Sequence, residues 1–200
     1  MTILPLAYLP SVEYCARLLR GDCVVDLGEH FVKRSERNRA RILVPNGVME
    51  MTAQVCHANR PCTPMREVLL DYSKRWQHQH WTALVSSYKA SPYFDHYAAR
   101  FEPFYRTPSR YLVDYNQALL EVLLDALNIP MPRLSECYID ATAADLDLRS
   151  KHKKGSDDFS PEPYFQVFTD RLPFAPNLSV VDLLFAEGPA AAAVLRRCLP

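Results

Sequence analysis

The chain has 200 residues, 48% of them apolar, which is enough for one globular domain with a substantial core. Its 23 Lys and Arg residues are matched by 23 Asp and Glu, so the formal net charge is zero. That balance argues against the broad basic footprint of a nucleic-acid binder and against the polybasic face that docks on anionic membranes.

Ile3 to Leu6 reads as a short strand closed by Pro10, and Ser11 is placed to cap a helix over Val12 to Leu19. Gly21 ends that helix, and Cys23 to Leu27 reads as a buried strand. Strand, helix and strand within 27 residues open an α/β layout. Arg41 to Val44 and Val48 to Val55 flank Asn46-Gly47, a strong short-range hairpin signal. Residues 56–65 read as a loop and Arg66 to Leu70 as a further strand. From Lys74 the pattern turns helical: Trp81, Leu84, Val85 and Tyr88 fall at helical spacing, and Tyr93, Tyr97, Phe101 and Tyr105 follow after Pro92. Tyr111 to Leu127 is amphipathic and stops at Asn128-Ile129-Pro130. Residues 141–163 read as a long polar surface loop carrying Lys151, Lys153, Lys154, Asp157 and Asp158. Tyr164 to Phe168 reads as a strand. Asn177 or Ser179 caps a helix through Phe185, and Pro189 opens a last helix to Cys198. The expectation is a single α/β domain over residues 1–200, with a small mixed sheet, flanking helices and a largely helical second half.

Met1 to Pro10 lacks the basic-then-apolar pattern of a signal peptide, and no apolar run nears the roughly 20 residues that span a bilayer. No membrane span and a cytoplasmic location are therefore expected. The six cysteines read as reduced thiols in a chain of this size. Cys56-His57 and Cys62 offer metal ligands, but no CxxC pair or second half accompanies them, so no metal site is assigned. The five glycines form neither GxGxxG nor GxxxxGK[ST], and GxSxG and HExxH are absent. Nothing in the sequence names a cofactor.

The best positive signal is the basic cluster Lys33-Arg34-Ser35-Glu36-Arg37-Asn38-Arg39. In a helical turn over 31–38, Lys33 and Arg37 share a face, and like charges at that spacing repel. An anion relieves the repulsion, and the guanidinium fork suits phosphate or carboxylate. The bland alternative is a solvated face with Glu29 and Glu36 as partners. His80, at the start of a helix, is a general-base candidate, with a single structural hydrogen bond as its alternative. His30, beside the basic cluster, is a weaker one. Asp182 interrupts the apolar run Val180 to Phe185, and a buried carboxylate needs a partner, for which Arg37 and Arg39 are the first to test. Asp157-Asp158 reads as simple solvation.

Three motifs in order give the chain a relative: the basic cluster running into Asn46-Gly47, then His80-Trp81 with Tyr88 and Ser91-Pro92-Tyr93-Phe94, then Pro163-Tyr164-Phe165-Gln166-Val167-Phe168 followed by 178–185 and Gly188-Pro189. Together they resemble the WbqC-like protein family. Tyr8-Leu9-Pro10 and Tyr14 match its N-terminal motif, while Pro5-Leu6, Ser11 and Glu13 depart from it. The resemblance implies a part in surface-polysaccharide (O-antigen) synthesis, with an aminoacyl (glycine) or related transfer to an activated amino sugar. On that reading Lys33, Arg37 and Arg39 hold an anionic small molecule, either a nucleotide sugar or an acyl donor. Asn38 orients it, and His80 and Asp182 are the catalytic candidates. Arg37→Ala is then expected to weaken ligand binding while the fold stays intact. Two other readings stand beside it: a non-catalytic ligand-binding or scaffold protein, and a degenerate nucleotidyltransferase-like enzyme lacking the His-x-Gly-His pair.

Overall fold

The computed structural model describes residues 1–56, 62–150 and 158–200. His57, Lys151, Lys153, Lys154 and Asp157 lie outside the described residues.

Four short strands run parallel: β1 (Thr2–Pro5), β2 (Cys23–Asp26), β5 (Arg133–Ser135) and β6 (Leu146–Asp147), in the order β5-β2-β1-β6. Thr2 pairs with Cys23 on one side and with Leu146 on the other. Ile3, Leu4, Val24 and Val25 are buried on both faces, as parallel strands require. Helix α1 (Val12–Arg20) makes the crossover from β1 to β2. Ser11 caps it by accepting from Tyr14 N, and Gly21 closes it at φ +92°.

A separate antiparallel hairpin joins β3 (Arg39–Val44) and β4 (Gly47–Thr52). The turn itself is Pro45-Asn46, one residue earlier than the Asn-Gly signal suggests, because proline suits the first turn position. Gly47 follows it at φ +118°, where a side chain would be strained. The expected α/β class with parallel and antiparallel pairing holds, with the two kinds of pairing in separate sheets.

Helices α2 (Trp76–Tyr88), α3 (Phe94–Arg106) and α4 (Leu112–Ala126) form the helical layer. Tyr8, just beyond β1, enters their aromatic core beside Trp76, His80, Tyr105 and Tyr115. Helix α5 (Val180–Glu187) packs on α3, and both α5 and α6 (Ala191–Arg197) pack on α1. Among the described residues, no helix is long and apolar enough to cross a membrane.

Four local expectations need correction. Residues 31–38 form consecutive turns rather than a helical turn, with Arg34 at φ +61°. Met65–Glu67 is a single 3-10 turn, and Leu69 and Leu70 make only isolated bridges. The polar stretch 141–163 contains β6. Residues 164–168 form no strand: Gln166 instead bonds both ways to the backbone of Ala175, at 3.0 and 2.9 Å, so side chains pin a segment that a ladder was expected to hold.

Candidate functional site

Strands β1, β2 and β6 end on the same side of the sheet. Chain leaves β1 for β2, while β6 lies on the other flank of β1, and ligands of open α/β sheets bind outside the carboxyl ends at such a switch point. An open crevice lies there, about 650 Å³ including its mouth, lined by Glu29, His30, Val32, Arg37, Tyr138, Asp147, Arg149 and Ser150.

Asp26 ends β2 and organises the floor. It is fully buried, and its carboxylate accepts from Gly28 N at 2.9 Å, Ile139 N at 3.2 Å and the Arg149 guanidinium. Gly28 is required because a Cβ there would fall 2.1 Å from Tyr138 N, so its absence lets the 137–138 backbone lie against β2's end. Arg149 also holds Asp147 through Nε at 3.0 Å and Nη2 at 2.7 Å, and its guanidinium lies 4.5 Å from the Tyr138 ring centre. These contacts with Asp147 and Asp26 raise the pKa of Arg149, while Arg149 holds Asp147 below the usual carboxylate range.

Arg37 is 1% exposed and forks onto Glu29, which is 2% exposed. Its remaining donors reach Ser35 Oγ at 3.2 Å and Arg149 O at 3.2 Å. Burial pushes the Glu29 carboxyl up to about 7, against the pull of Arg37. Helix α4 secures this loop from behind: Asn116 Nδ2 donates to Arg37 O at 2.7 Å.

The basic cluster therefore divides. Arg37 faces the crevice. Arg34, Arg39 and Arg41 turn the other way, into a second cleft of about 490 Å³ with its mouth, alongside Ser11, Glu36, Glu50, Asn177 and Ser179. Asn38 lies buried between them and donates to Ala53 O at 3.1 Å. Lys33 is exposed and lines neither space. The shared face of Lys33 and Arg37 does not form, because residues 31–38 are not helical.

His80 and Asp182 line neither cavity. His80 is buried among aromatic rings with Tyr8 Oη 2.9 Å from Nδ1, and burial lowers its pKa to about 4. Asp182 does not pair with Arg37 or Arg39. It accepts from Tyr88 Oη at 2.8 Å, Tyr164 Oη at 2.6 Å and Gln166 Nε2 at 3.1 Å, and ties three segments together. Asp158 is not simply solvated, since it holds the buried Arg17 of α1.

Among the described residues, the histidine that the fold does bring to the crevice is the exposed His30. The sequence offers Glu29 only as a charge partner and does not single out Asp26, Tyr138, Asp147 or Arg149. Asp26 left one trace, a carboxylate closing the apolar run Cys23 to Val25. Tyr138 sits in a polar segment without periodicity, and Asp147 and Arg149 sit in a short alternating run, Asp145 to Arg149, inside a stretch that reads as a loop.

A family model described as the WbqC-like protein family matches residues 7–154, about three-quarters of the chain. No curated protein and no solved structure matches the chain. The matched span includes every residue that lines the crevice, whereas Asn177 and Ser179 of the second cleft lie beyond it.

Proposed function

Since the chain belongs to the WbqC-like protein family, we propose that it is a transferase of surface-polysaccharide synthesis that joins an aminoacyl group such as glycine to an activated amino sugar. The crevice at the carboxyl ends of the parallel strands is its acceptor site.

The observation that carries this reading is the charge of the crevice. Among the described residues, three carboxyl groups, Asp26, Glu29 and Asp147, stand with two guanidiniums, Arg37 and Arg149. Both guanidiniums are already engaged, so the described residues have little left for an anion, while the partly exposed Asp147 offers an ammonium group a carboxylate acceptor. Asp147, partly exposed, is the carboxylate nearest solvent and takes the sugar's amine. The half-exposed ring of Tyr138 gives a platform for the sugar. His30, unlike His80, is exposed at the crevice and takes the amine's proton as general base. The freed amine attacks the acyl carbon, the bond to the donor's leaving group breaks, and the C–N bond forms.

The test is product formation. Purified protein is incubated with a nucleotide-linked amino sugar and a panel of aminoacyl donors, and the mass of the sugar is followed. An aminoacyl mass gain is expected, with His30→Ala slowing it by about 10²-fold or more. The second reading, a binding protein without turnover, is favoured by one observation: among the described residues, the Asp26, Glu29, Arg37, Asp147 and Arg149 charges are all braced by one another. Amino sugar bound with no product across the panel selects it.

A further inference from the structure

The second cleft has a chemistry of its own. Helices α1 and α5 bring their N-termini together there, because Val12 N donates to Leu178 O at 2.9 Å and Val180 N donates to Pro10 O at 2.8 Å. Their caps, Ser11 and Ser179, are bridged side by side. The Ser11 side chain caps α1, whereas Ser179 holds the N-cap position of α5 without a side-chain capping bond: it is 2% exposed and its Oγ has no partner. A buried hydroxyl without a partner is costly, and Ser179 is among the residues that line this cleft. Arg39 repeats the pattern. Its Nη1 holds Glu50, while its buried Nε has no partner. Arg34 and Arg41 add two further guanidiniums to the wall.

We propose that this cleft is a binding site for a compact oxyanion, the phosphate or carboxylate of a small ligand, held by Ser179 Oγ and the guanidiniums of Arg34, Arg39 and Arg41. An oxyanion supplies the acceptor that Ser179 Oγ and Arg39 Nε each lack, and Arg forks match its geometry. The first-turn amides are mostly consumed: Val12, Glu13, Tyr14, Val180 and Asp182 N–H all have acceptors. Recognition therefore falls to side chains, with the positive ends of both helix dipoles adding a favourable field. Two carboxylates oppose it. Glu50 is occupied by Arg39, and burial lifts the Glu36 carboxyl to about 7, which removes part of its charge near neutrality. None of Ser11, Arg34, Arg39, Arg41 and Ser179 lines the crevice, so the site stands or falls apart from the acceptor reading.

The experiment is calorimetric titration with inorganic phosphate and, separately, acetate, at ionic strength held constant with sodium chloride. Saturable binding of one or both is expected, and which one binds tells a phosphate-bearing ligand from a carboxylate. Ser179→Ala should weaken it about ten-fold, the worth of one hydrogen bond to a charged group. That variant should melt no lower than the wild type, because the deleted hydroxyl bonds nothing and its burial is costly. Arg39→Gln should weaken binding as well, and His30→Ala in the crevice should leave it unchanged. Lack of saturable binding for both anions, or binding that Ser179→Ala leaves intact, overturns the proposal.

Discussion

Arg37→Ala now carries a different expectation from the one its sequence suggests. The side chain is 1% exposed, so its removal strands the Glu29 carboxylate at 2% exposure and takes donors from Ser35 Oγ and Arg149 O. Breaking a buried ion pair by deleting one partner costs about 3–5 kcal/mol. The cost should depend on pH. Burial raises Glu29 from 4.5 to about 7, so its proton-linked stability is present below about 4.5 and is lost as pH rises through about 7. Without Arg37 a protonated Glu29 is tolerated and an ionised one is not. Urea unfolding at pH 5 and pH 8 should therefore show Arg37→Ala less damaging in acid. The double variant Glu29→Gln/Arg37→Met should be far better than the sum of its singles, with a coupling of about 1–3 kcal/mol. A loss below about 1 kcal/mol for Arg37→Ala at pH 8, or strict additivity in the cycle, refutes the buried-pair account.

Further outcomes follow from single contacts. His80 is lowered from 6.5 to about 4 by burial, so the stability it contributes is present above 6.5 and is lost as pH falls toward 4. At about 1.4 kcal/mol per unit, the advantage of wild type over His80→Gln should shrink by about 3 kcal/mol across that window, read by denaturation at each pH. Gly28→Ala meets backbone at 2.1 Å and should cost more than about 2 kcal/mol in the same assay, since the 137–138 backbone must move. Asp182→Asn replaces an acceptor of three buried bonds and should cost about 3 kcal/mol without altering ligand binding, because Asp182 lines neither cavity.

The parts of the fold with local signals were legible. Ser11 and Gly21 mark the two ends of α1, the apolar pairs Ile3-Leu4 and Val24-Val25 mark the buried strands, and the aromatic spacing marks α2 and α3. Strands β5 and β6 were not, because three and two residues carry no periodicity and depend on their neighbours' edges. The site suffered from the same limit. The sequence shows a run of basic residues between 33 and 41 but not that the backbone turns repeatedly, sending Arg37 to one space and Arg34, Arg39 and Arg41 to another. The partners of Arg37 are also split in sequence: Glu29 lies eight residues away, while Arg149 O lies 112 away. A histidine in a helix's second turn and a carboxylate in an apolar run look functional, yet His80 and Asp182 are absorbed by tyrosines that only the tertiary fold brings to them.

The central claim, that the crevice receives an amine, is tested most directly by equilibrium binding of a nucleotide-linked amino sugar against its N-acetylated counterpart. The partly exposed carboxylate of Asp147 predicts that the free amine binds at least about ten-fold tighter, the worth of one charge-assisted hydrogen bond, and that Asp147→Asn abolishes the preference. Equal affinity for the two sugars, or tighter binding of the acetylated one, contradicts it.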